Sequence, residues 1–157
     1  MRVVLAVVGK AGKAFADAIE DYERRAKRYW PLEVVEVKAV KAGGAKTDLD
    51  VKNAEAESLL ERIPRDVEIV PLTRVGERWS SDQLADYLQR LGVRSSPGVA
   101  FVIGGALGLG DAVLRRATHK LALSSMTMPH EMARLILAEQ LYRAGTIARG
   151  EPYHKGR

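Results

Sequence analysis

Residues 123–130 read LSSMTMPH. Ser124, Ser125 and Thr127 bring hydroxyls, Met126 and Met128 bring thioethers, and Pro129 and His130 form a rigid corner before the apolar run EMARLILAEQLYRA. The hydroxyls and backbone groups of such a loop need hydrogen-bond partners. Its polarizable sulfurs suit an adenine or thioether pocket. The plainer alternative has Met126 and Met128 plugging the core while the hydroxyls satisfy the loop's own backbone. A second cluster is IGGALGLGD, residues 103–111, with Gly104, Gly105, Gly108 and Gly110. Glycines let backbone approach a ligand closely. This stretch is either a nucleotide or cofactor cradle or a tight strand-to-helix turn capped by Asp111. It is not a P-loop, because no Gly-Lys-Ser/Thr follows, and its glycine order is wrong for a dinucleotide fingerprint.

The last helix and the tail hold further ionisable candidates. Glu139 and Arg143 are one helical turn apart and able to pair. Arg134 interrupts an apolar arc, where an arginine is either ion-paired or aimed at a ligand. The three histidines, His119, His130 and His154, are at least eleven positions apart, and the chain has no cysteine. Disulfides, thiolate metal sites and cysteine nucleophiles are thereby excluded, and no local metal-ligand motif exists.

These groups must be held by a regular scaffold. Apolar runs at 2–8, 32–38, 66–72, 98–104 and 119–124 read as strands. Helix-patterned segments alternate with them: Lys13 to Tyr29, Asp48 to Ile63, Ser80 to Leu91, 110–117, and His130 to about Ile147. Ser80 and Gln83 form a capping box, while RVGERW at 74–79 reads as a turn. Five strands alternating with five helices predict a single α/β domain over residues 1–157 with a mainly parallel sheet. Ligands of such sheets bind in loops at the carboxyl ends of strands. That rule selects the loops after Leu72, after Ile103 and at LSSMTMPH. In the last helix Ala133, Leu137, Leu141 and Ala144 share one side, and Met132, Leu135, Ile136 and Tyr142 cover much of the other. Apolarity on both sides predicts a subunit interface.

The 157 residues are 46% hydrophobic and 29% charged, typical of a globular chain able to bury a core. No apolar stretch approaches the roughly 20 residues of a membrane helix. MRVVLAVVGK reads as a first strand and not a signal peptide. The net charge of +5 permits a nucleic-acid partner without demanding one.

The stretch LSSMTMPHEMARLILAEQLYRA, followed by PYHK, resembles the C-terminal signature of the RlmH family, SPOUT-class RNA methyltransferases with a deep trefoil knot. VVLAVVGK at the start, VPL at 70–72 and VIGG at 102–105 extend the resemblance along the chain. It implies an α/β knot over about 70–150, a homodimer, and S-adenosylmethionine as cofactor. Carried over, the cofactor-binding positions are Leu72, Gly104, Gly105, Ser124, Ser125, Met126, Thr127, Met128 and Pro129. The implied reaction is methylation of N3 of a pseudouridine in large-subunit (23S) ribosomal RNA, on assembled ribosomes in the cytoplasm, with no metal. Tyr153, His154 and Arg134 become the catalytic candidates, with Tyr153 stacking or orienting the base and His154 acting as base or positioner. Arg143 and Lys155 become the RNA-binding candidates. Two positions depart from the family pattern. GGALG replaces GGPEG, so Ala106 and Leu107 stand for Pro and Glu, and Lys155 stands where Arg is frequent.

The departure at Ala106 and Leu107 sets up a rival: a ribosome-binding relative that has lost catalysis. A second rival is a dinucleotide-binding oxidoreductase, which would want an acidic residue about 20 positions beyond the glycines. Ser124 and Ser125 occupy that region.

Overall fold

The computed structural model describes residues 1–155. Five strands form one sheet in the order β2-β1-β4-β3-β5, every pairing parallel. The elements are β1 (Arg2–Val8), α1 (Lys13–Ala26), β2 (Leu32–Val37), α2 (Asp48–Arg62), β3 (Glu68–Arg78), α3 (Ser81–Val93), β4 (Gly98–Ile103), α4 (Asp111–Arg115), β5 (Leu121–Ala122) and α5 (His130–Ala148). The expected mainly parallel sheet flanked by helices is therefore present.

The alternation of side chains along each strand builds two cores. Val3, Leu5 and Val7 of β1 face one way, onto Leu84 and Leu88 of α3 and Leu137 and Leu141 of α5. Val4, Ala6 and Val8 face the other, onto Ala56 and Leu59 of α2 and Val113 of α4. Both faces of the central strands are covered, which is why their sequences are continuous apolar runs.

Several boundaries differ from the expectation. α1 stops at Ala26 and the chain turns through Lys27–Tyr29. RVGERW is not a turn: β3 runs on to Arg78, with an irregularity that pairs both Leu72 and Glu77 with Leu121. Gly76 permits this. A Cβ there would lie 2.7 Å from the carbonyl carbons of Lys120 and Leu121, and Glu77 N–H donates to Lys120 O at 2.7 Å. The strand expected over 119–124 is only Leu121–Ala122. α4 begins after Gly110 as its N-cap, with no cap from Asp111. The Ser80–Gln83 capping box forms as read.

The two-sided apolarity of α5 is met only in part within the chain. Ala133, Leu137, Leu141 and Ala144 are buried in the core it shares with the sheet. On its other side Tyr142 meets Tyr22 and Tyr29 at centroid distances of 6.3 and 5.8 Å. Met132, Leu135 and Ile136 remain partly exposed.

Candidate functional site

The carboxyl ends of β3, β4 and β5 converge, and their loops enclose a cavity of about 520 Å³. Three loops selected in the sequence meet there. Leu72 comes from the first, Gly104 and Gly105 from the second, and Ser124, Met126, Thr127 and Met128 from the third. Ser125 and Pro129 are not on the lining. Pro129 instead serves as the N-cap of α5. Met126 is 78% exposed, so it is no core plug.

The glycine loop is tightly constrained. A Cβ on Gly104 would lie 2.7 Å from the Gly108 carbonyl carbon, and Gly108 itself has φ +86°. Gly108 N–H donates to Gly105 O at 3.0 Å, closing the turn. Close backbone packing of this kind leaves peptide groups at the wall in place of side chains. Across the cavity, Met126 N–H donates to Ser124 Oγ at 3.0 Å.

Arg74 is a charged lining residue that the sequence did not single out. Arg74 reaches Thr127 Oγ1 from Nη1 at 3.5 Å, linking the first and third loops. Its signal was hidden because 74–79 read as a turn. His130 lines the cavity too, without capping α5 by a side-chain hydrogen bond.

The remaining candidates lie elsewhere in the chain. Arg134 is 7% exposed and donates to Glu23 Oε1 from Nε and to Glu36 Oε2 from Nη1, each at 2.8 Å. Burial works against its charge, but the two carboxylates more than compensate and hold its pKa above the usual arginine value. The tail forms a short 3₁₀ turn, Pro152–His154, packed against α5. Tyr153 donates to Glu139 Oε1 at 3.0 Å, its ring lies 4.5 Å from that of Tyr142, and the Arg143 guanidinium sits 5.0 Å from its centroid. Arg143 pairs with Glu139 at 2.6 Å, as the one-turn spacing foretold. Burial first, then the hydrogen bond to Glu139, pushes the Tyr153 phenol well above its ordinary pKa. It therefore stays a hydrogen-bond donor at neutral pH. His154 is half-buried, with Nδ1 lacking a partner among the described residues, and Lys155 is exposed. The tail packs on α5 at Glu139, six residues or about 9 Å along the helix axis from Ala133 on the cavity lining, and no described residue of the tail lines the cavity of its own chain.

His119 belongs to a structural cluster at the β3–β5 junction, edge-on to Trp79 and Tyr87 at 5.6 Å. Among the described residues no group of three or more His, Asp or Glu is arranged to hold a metal, and no helix is long and apolar enough to cross a membrane.

Residues 1–154 match the family model described as "Predicted SPOUT methyltransferase". The chain is 52% identical over 156 residues to "Ribosomal RNA large subunit methyltransferase H" of Gemmatimonas aurantiaca, covering 99% of this chain and 100% of that one. It is 40% identical over 159 residues, with the same coverage, to the protein of that name from Clostridium acetobutylicum. In fold it is similar to a probable methyltransferase from Bordetella pertussis, with TM-score 0.55 and 18% identity over 91% of this chain and 95% of that one. A probable methylase family protein from Haemophilus influenzae gives TM-score 0.53 and 15% identity, over 99% and 70%.

Proposed function

This chain belongs to the SPOUT methyltransferase family, and we propose that it moves a methyl group from S-adenosylmethionine to N3 of a pseudouridine in large-subunit ribosomal RNA. The observation that carries this reading is the cavity where the loops after β3, β4 and β5 meet. Its volume is within the range of about 300–1,000 Å³ common for cofactor sites. The relatives named as large-subunit ribosomal RNA methyltransferases support ribosomal RNA as the substrate class.

The residues present fit the proposed cofactor. The glycine loop offers peptide groups where a Cβ has no room, and Leu72, Met126 and Met128 supply apolar and thioether surface. Ser124 and Thr127 add hydroxyls. When bound, the cofactor supplies an electrophilic methyl on a cationic sulfur. The chain must hold the acceptor nitrogen in line with that methyl and exclude water. A uridine-type N3 also carries a proton that has to leave. We assign that role, or the positioning of the base, to His154. Tyr153, held protonated, orients or stacks on the base, while Arg143 and Lys155 meet phosphate.

No described tail residue lines the cavity of its own chain, which favours a homodimer in which a second copy's tail completes the site. The partly exposed strip Met132, Leu135 and Ile136 is the face we assign to that contact. The trefoil knot and an assembled ribosome in the cytoplasm belong to the same proposal. A ribosome-bound relative without catalysis is the second reading, because Ala106 and Leu107, with no carboxylate, stand on the cavity wall.

Calorimetric titration with S-adenosylmethionine, with NADH as control, tests the proposal. Saturable binding of the sulfonium alone supports it. Binding of NADH alone would overturn it in favour of a dinucleotide enzyme. Binding of neither would favour the non-catalytic relative.

A further inference from the structure

The cavity has an electrostatic gap. Arg74 and His130 line it, and among the described residues no carboxylate does. A cationic ligand would meet no opposite charge on that wall. Directly behind the wall lies a carboxylate that the fold uses at only one of its two oxygens. Glu55, on α2, is 4% exposed. Its Oε2 accepts the Val40 N–H at 3.0 Å. Among the described residues its Oε1 is buried with no hydrogen-bond partner and no ion pair reaches either oxygen.

A buried acceptor without a partner is costly, and a buried carboxylate without a counter-charge more so. Such a group persists when something else uses it. The geometry shows what it faces. A Cβ placed on Gly105 would lie 3.1 Å from Oε1 and 3.3 Å from Oε2 of Glu55. Gly105 itself lines the cavity. The carboxylate is thus separated from the cavity by one side-chain-free residue. Poorly solvated surroundings screen charge weakly, so its field extends across that distance.

We propose that Glu55 is the counter-charge to the sulfonium of the methyl donor, acting through the gap left by Gly105. This rests on the S-adenosylmethionine reading above and deepens it. Glu55 is a positioning residue, since it acts through the field and without touching substrate. It favours the charged donor over the neutral thioether product, S-adenosylhomocysteine, and so helps product leave.

The test compares two ligands that differ by one methyl and one charge. Wild type and Glu55→Gln are titrated calorimetrically with S-adenosylmethionine and with S-adenosylhomocysteine. Glutamine keeps an oxygen for the Val40 N–H and removes the charge. We expect the dissociation constant for the sulfonium to rise roughly tenfold, with that for the thioether changing less than about twofold. Equal weakening of both ligands would make Glu55 a structural tether of the β2–α2 loop and overturn the proposal, as would no change in either. Should Glu55→Gln fail to fold, Glu55→Asp retracts the same charge. It should lower the preference for the sulfonium by roughly threefold, and an unchanged preference would overturn the proposal. If wild type binds neither ligand, the cofactor reading itself fails, a result distinct from a preference that survives the substitution.

Discussion

Arg134 on α5 donates from Nε to Glu23 Oε1 on α1 at 2.8 Å, both side chains nearly inaccessible to solvent. The same guanidinium reaches Glu36 at the edge of β2. One planar fork therefore ties two helices and a strand together, a geometry that a lysine ammonium cannot reproduce. Arg134→Ala leaves the Glu23 charge buried and unpaired, and should cost about 3–5 kcal/mol in denaturant unfolding. Arg134→Lys should cost less. An alanine variant of unchanged stability that had lost methyl transfer would instead make Arg134 part of the chemistry.

The glycine loop gives a sharper separation of site from scaffold. A methyl on Gly104 would press on the backbone of Gly108, at 2.7 Å from its carbonyl carbon and 2.8 Å from its oxygen. The loop must shift, because backbone has no rotamer with which to yield. Gly104→Ala should weaken S-adenosylmethionine binding at least roughly tenfold, the cost of a displaced pocket wall being on the order of 1.4 kcal/mol or more. Titration alongside thermal unfolding checks this. Unaltered affinity would remove the loop from the cofactor site.

For the tail, His154→Ala should slow single-turnover methyl transfer while leaving cofactor affinity intact, since His154 is not on the cavity lining. Tyr153→Phe removes the hydrogen bond to Glu139 and should cost about 1 kcal/mol of stability. Wild-type transfer by His154→Ala would exclude that residue as base or positioner.

Alkaline stability follows from two phenols. Burial, followed by the hydrogen bond to Glu68, raises the Tyr87 pKa far above its usual value, and burial with Glu139 raises that of Tyr153. In both cases the folded pKa exceeds the unfolded one, near 10. Their contribution is fully present below about pH 10 and is lost as pH rises from there through the folded values. Tyrosinate absorbance should show these two phenols ionising only with unfolding, and Tyr87→Phe should flatten the loss of stability above about pH 10. Early, independent ionisation of both would contradict their burial.

The sheet was legible because β1 and β4 are unbroken apolar runs, and the cavity loops because they follow strand ends rich in glycine and hydroxyl residues. What escaped depends on contacts distant in sequence. The extension of β3 to Arg78 relies on Gly76 lying against Lys120, and a lone glycine among charged residues reads as a turn. The partners of Arg134 lie 111 and 98 residues away, beyond any periodicity argument. Glu55 looks like an ordinary polar position on an amphipathic helix, and only burial singles it out. The two apolar sides of α5 pointed to a second subunit; the sheet covers one side, Tyr22 and Tyr29 meet Tyr142 on the other, and Met132, Leu135 and Ile136 are left at the surface.

The central claim is a transfer of methyl to ribosomal RNA, and one measurement addresses it directly. Ribosomes from cells lacking this chain are incubated with the purified protein and methyl-labelled S-adenosylmethionine, and the labelled nucleotide is mapped. Label is expected in large-subunit RNA, at N3 of a pseudouridine, and is expected to be lost with His154→Ala. No incorporation at saturating donor, or label on another nucleotide or another RNA, would contradict it.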